Sequence, residues 1–87
     1  MATIIYSNGT ETEVSPANGT DFKLEELQKI VGGYIEVLNL NDGRIMVVNE
    51  EGKIQGLDLN VIATYIYGRH TDCVVGNVLV CKSDEVR

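Results

Sequence analysis

His70, Asp72 and Cys73 fall within one four-residue stretch and are the only close grouping of a base, a carboxylate and a thiol in the 87-residue chain. A thiol nucleophile needs such a pair, because the imidazole draws the thiol into its reactive thiolate form. Acyl transfer also needs donors for an oxyanion, and no sequence of that kind accompanies the group. Polar residues gather this closely on many solvated loops, so the chain is expected not to be an enzyme. With Cys81 the same stretch offers His-x-x-Cys and one distant Cys, three zinc ligands where a structural site takes four. Neither a metal nor another cofactor is therefore expected, and both cysteines read as small, reduced, buried apolar side chains.

Asn49, Asn60 and Arg69 are the residues that could hold a small ligand, with His70 next to Arg69. Asparagine supplies donor and acceptor together, and arginine recognises phosphate or carboxylate. Tyr34, Tyr65 and Tyr67 could add stacking surfaces, although Tyr65 and Tyr67 face different sides of a helix. The commoner roles are turn-forming or capping for the asparagines and packing for the tyrosines. Gly32-Gly33 might suggest a phosphate cradle, but such loops precede a helix and these glycines follow one. Glu50 and Glu51 adjoin a glycine without the spaced oxygen ligands of a calcium loop and read as a solvated turn.

Composition narrows the function classes. Seven Lys and Arg stand against thirteen Asp and Glu, a formal charge of −6. The cations, Lys23, Lys29, Arg44, Lys53, Arg69, Lys82 and Arg87, are scattered singly. Nucleic acid is recognised by clustered cations, so it is disfavoured as a partner. An acidic surface could instead meet a basic protein or imitate the charge of a nucleic acid, although net charge mostly reports solubility. No apolar run approaches the roughly 18–20 residues of a membrane span, and no basic and apolar leader opens the sequence. The cytoplasm is the expected compartment. A chain this short buries only about 60–65% of its unfolded surface, and a homodimer would be an ordinary remedy.

The elements that must carry these residues follow from periodicity. β-Branched residues at 3–6 and 10–14 flank Ser7-Asn8-Gly9, an opening hairpin. Its second strand alternates Thr with Glu and suits a sheet edge. Leu24, Leu27, Ile30 and Val31 share one face of a helix that Thr20 or Asp21 can cap and Gly32-Gly33 can close. Residues 34–40 and 44–49 straddle Asn41-Asp42-Gly43 as a second hairpin. Its strands are apolar on both faces, so one helix cannot cover the sheet, and a second helix or a partner subunit is implied. Asn60 can cap a short helix over residues 61–67, closed by Gly68, although Val61, Ile62, Thr64, Tyr65 and Ile66 also suit a strand. Residues 77–81 form a last strand before a charged tail.

The run from Leu24 through Gly32-Gly33-Tyr34 to Val37, followed by Asn49-Glu50-Glu51-Gly52-Lys53, Gly56-Leu57 and Leu59-Asn60, resembles the domain-of-unknown-function family 3846. That family occurs in bacteria and on phages and other mobile elements. The likeness runs from about residue 24 to residue 60, and more loosely to 76–81. It brings no catalytic or binding residues to carry over. The setting it implies is an accessory protein of mobile DNA.

The expectation is a single α+β domain, with a mainly antiparallel sheet of about five strands built from two hairpins and a C-terminal strand, one firm helix and one short one. Its expected role is non-enzymatic protein binding in a phage or mobile element. The alternative is a module for a small, nucleotide-like molecule, held near Asn60, Arg69 and His70.

Overall fold

The computed structural model describes residues 2–68 and 73–86, and each period in the sequence becomes an element. β1 (Ala2–Ile5) and β2 (Glu11–Val14) form the first hairpin, α1 (Leu24–Val31) follows, and β3 (Ile35–Asn39) and β4 (Arg44–Asn49) form the second. α2 (Val61–Tyr67), β5 (Val78–Lys82) and a 3-10 turn (Ser83–Glu85) complete the chain. The five strands form one sheet in the order β2-β1-β5-β4-β3, with every neighbouring pair antiparallel. The C-terminal strand is thus inserted between the two hairpins and joins them.

Strand alternation divides the core into two layers. Ala2, Ile4, Ile45, Val47, Leu79 and Cys81 point to one face and pack with Leu27 and Val31 of α1. Ile5, Met46, Val48, Val78 and Val80 point to the other, beneath Ala63 of α2. The sheet is therefore sandwiched between two helices, and α2 supplies the second cover that the two-sided apolar strands require. β2 lies at one edge with Glu11, Thr12 and Glu13 exposed, as its Thr-Glu alternation implies.

One local expectation is corrected. Thr20 and Asp21 do not cap α1, because the Asn18 side-chain oxygen accepts from both of their amides, at 2.9 Å each, and commits them to the preceding turn. Glu26 takes over the helix end: one carboxylate oxygen accepts from the Lys23 amide (3.1 Å) and the other from the Ala17 amide (3.1 Å). At the far end Gly32, at φ 82°, donates its N–H to the Gln28 carbonyl (2.8 Å), as a glycine cap should. The charged tail packs back on the segment before α1. The Phe22 amide donates to the Glu85 carbonyl (2.7 Å), Phe22 and Val86 form a parallel bridge, and the Phe22 ring is buried.

Candidate functional site

α2 is short and is held by polar bonds rather than by its length. Asn60, with no exposed surface, is its N-cap, and its side-chain oxygen accepts from the Ala63 amide (3.0 Å). The Asn60 amide nitrogen donates to the Ile5 carbonyl at the end of β1 (2.9 Å) and to the Gly76 carbonyl (2.8 Å). Thr64, one turn later, donates its hydroxyl to the Asn60 carbonyl (2.8 Å) and accepts from the Val74 amide (2.8 Å). Together they fix the helix to β1 and to the segment entering β5. Asn60 therefore spends both amide donors and its side-chain acceptor inside the protein.

So anchored, α2 turns Ala63, Ile62, Ile66 and Tyr67 toward the sheet. Its opposite face carries Val61, 67% exposed, and Tyr65, 86% exposed, one turn apart. Leu59, just before the helix, is half exposed and bridges to Val75. Val75 also lines a cleft with Ile54, another exposed apolar side chain. No residue from Val61 to Tyr67 is charged. Helices on protein surfaces ordinarily turn charged and polar residues outward, so an outward face of Val and Tyr is the surface anomaly here. Sequence reading missed this face. The signal was available in the absence of any charge over the whole helix, whereas its β-branched and aromatic residues left it ambiguous between helix and strand. Tyr65 and Tyr34 are both exposed, so the packing role expected of tyrosines fails for these two.

The cleft, of about 210 Å³, lies between the end of α2 and the β3–β4 hairpin, with Leu38, Val48, Lys53, Tyr67 and Cys73 among its walls. Asn49 borders it but is engaged elsewhere. Its amide nitrogen donates to the Val31 carbonyl (3.2 Å) and the Gln55 side chain (3.3 Å), and its oxygen accepts from the Glu51 amide (2.8 Å). A Cβ at position 33 would lie 3.0 Å from that nitrogen, so Gly33 makes room for the brace.

The cysteines separate. Cys81 is buried on the α1 face, and burial, reinforced by the nearby Glu85 and Asp84 carboxylates, pushes its thiol up to about 11. Cys73 is exposed at the cleft on the α2 side, not buried as its residue type suggested. The two sulfurs belong to opposite sides of the sheet and are not placed to share one metal ion. Glu50 and Glu51 stand exposed on a turn. Arg69 and His70, expected as ligand-binding candidates, and Asp72 lie outside the described residues.

No curated protein and no solved structure matches this chain. The family model for the domain of unknown function DUF3846 matches residues 1–87, the full span over which the hairpins, both helices and the joining strand are laid out, and the protein belongs to that family.

Proposed function

We propose that this protein is a non-enzymatic accessory protein of a phage or mobile element that acts by binding a host or element-encoded protein through the outer face of α2. The observation that carries the proposal is the uncharged helix that leaves Val61 67% and Tyr65 86% exposed on its outer face. Tyrosine is enriched at the centres of protein interfaces, where it contributes large area at low entropy cost. With a chain charge of −6, the partner best suited has an apolar patch set in basic surroundings. The two-sided anchoring of Asn60 and Thr64 presents the face on a rigid base, which lowers the ordering cost of association.

The small-molecule reading takes second place. Its support is the cleft beside Tyr67 and Lys53, but about 210 Å³ is below the roughly 300–1,000 Å³ of ordinary ligand pockets, and a larger hollow of about 450 Å³ between the first hairpin and α1 is lined by neither Asn49 nor Asn60. The deciding experiment is quantitative affinity purification from host lysate with the wild-type chain and a Val61→Ser/Tyr65→Ser variant. A basic protein retained by the wild type and lost with the variant is the expected result. Recovery of no protein above background, or equal retention by the variant, overturns the reading.

A further inference from the structure

We infer that the outer edge of β3 pairs with the β3 edge of a second copy of this chain, forming an antiparallel, two-fold symmetric continuation of the sheet. This surface is separate from α2 and does not depend on the function proposed for it. In an antiparallel ladder, directly opposed residues alternate between those that exchange N–H···O bonds and those that do not. Across β3 and β4 the Leu40 amide donates to the Arg44 carbonyl (2.9 Å) and the Glu50 amide to the Tyr34 carbonyl (2.8 Å). With the register Ile35↔Asn49 to Asn39↔Ile45, the even-numbered residues of β3 therefore bond inward to β4. Ile35, Val37 and Asn39 turn their N–H and C=O groups outward, along an edge on which no described strand pairs.

Those three residues are self-complementary in one register. With Val37 opposite its own copy, Ile35 faces Asn39, and all three outward residues bond in both directions, about six hydrogen bonds in all. On the other sheet face Glu36 then lies opposite Leu38 and the two Glu36 side chains are diagonal, so no like charges are directly opposed. A shift of the axis to residue 36 would set Glu36 against itself, and a shift to residue 38 would leave Ile35 unmatched.

The other edge of the sheet is blocked by the same rule. On β2 the Tyr6 amide donates to the Thr10 carbonyl (2.9 Å), and the register Ala2↔Val14 to Ile5↔Glu11 makes Glu11 and Glu13 the residues that face outward. Any antiparallel self-pairing of β2 must set one of these glutamates against another, which is the charge protection typical of a guarded edge. β3 has no such guard: Val37 is exposed at the centre of its edge and the strand's one charge, Glu36, is matched to an apolar partner.

Sedimentation equilibrium over a wide concentration range tests this. A pairing of one short strand falls below the roughly 1,200 Å² of standard stable interfaces, so the expected wild-type behaviour is weak, concentration-dependent dimerisation. Val37→Pro deletes an outward N–H while sparing the bonds to β4, and edge positions of this kind accept proline. Val37→Lys sets two cations against each other on the axis. Both should weaken dimerisation at least about tenfold, whereas Glu13→Pro, the same change on the other edge, should leave it intact. If Val37→Pro loses its circular dichroism spectrum, Val37→Lys decides. A wild type that stays monomeric throughout, or Val37 variants that associate as strongly as wild type, overturn the inference. The Val61→Ser/Tyr65→Ser variant should dimerise normally, and loss of dimerisation there would assign self-association to α2 and also overturn it.

Discussion

Asn60 should be the most costly single polar residue to replace among those described. Its oxygen caps α2, and replacing a capping asparagine by alanine costs about 1 kcal/mol. Its nitrogen is the donor to the Ile5 and Gly76 carbonyls at a position with no exposed surface. Leaving a buried acceptor without its partner costs about 1–3 kcal/mol. Even at the lower figure for each carbonyl, Asn60→Ala should lose about 3 kcal/mol, out of a total of roughly 4–13 kcal/mol for a chain of this size. With a urea slope of about 1 kcal/mol per molar, the unfolding midpoint should fall by roughly 3 M. Asn60→Asp separates the two contributions, because aspartate caps as well as asparagine but brings a carboxylate against the two carbonyls. That carboxyl should have a folded pKa raised above its unfolded value, since only its protonated form can donate to them. The variant's stability should therefore be greatest at acid pH, below the unfolded value, and be lost as pH rises through the folded value. Urea titrations followed by circular dichroism at several pH values measure this. If Asn60→Asp at neutral pH is as stable as the wild type, the bonds to β1 and Gly76 contribute nothing and α2 is held by its cap and packing alone.

The buried thiol gives an alkaline counterpart. Cys81 is pushed up to about 11 from an ordinary value of 9.0, so the fold favours the protonated form, and this stability should be full below pH 9 and decline from there toward pH 11. Cys81→Ala should flatten that decline in a pH series of urea midpoints. A disulfide-exchange reagent at neutral pH should label the exposed Cys73 promptly and Cys81 only after denaturation, giving one reactive thiol per native chain by absorbance. Gly76→Ala should destabilise by about 1–3 kcal/mol in thermal melts, because φ is +75° and the new Cβ would stand 2.8 Å from a Leu57 methyl carbon. Tyr65→Ser, in contrast, should change stability by less than about 0.5 kcal/mol, since the ring is 86% exposed.

The parts of this fold that are legible in the sequence are those fixed by local rules. Leu24, Leu27, Ile30 and Val31 declare α1 through their spacing, Gly32 closes it, and the two turns with Asn8-Gly9 and Asp42-Gly43 place both hairpins. The doubled apolar pairs of β4 even require a second cover, which α2 provides. What depends on distant contact is not legible. Asn60 is readable as a cap from its position before Val61, but the two carbonyls it serves are 55 and 16 residues away in the chain. The tail looks solvated because Ser83, Asp84 and Glu85 are polar, yet its backbone closes over Phe22.

The outer face of α2 and the edge of β3 show the same division. A chain of 87 residues has little surface to spare, and both helices are needed to cover the sheet. α2 meets that demand with seven residues and no charge at all, so the requirement of the inner layer, Ala63 with Ile62 and Ile66, does not account for Val61 and Tyr65 on the outside. The sheet edges offer a parallel contrast. Glutamates guard the outward positions of β2, whereas Ile35, Val37 and Asn39 occupy the equivalent positions of β3. Burial explains neither the apolar outer face of α2 nor the unguarded edge of β3. The outward side chains Val61 and Tyr65 of α2 and the three residues of β3 that turn their backbone groups outward carry no charge, and the interfaces proposed above would give that choice a stabilising role.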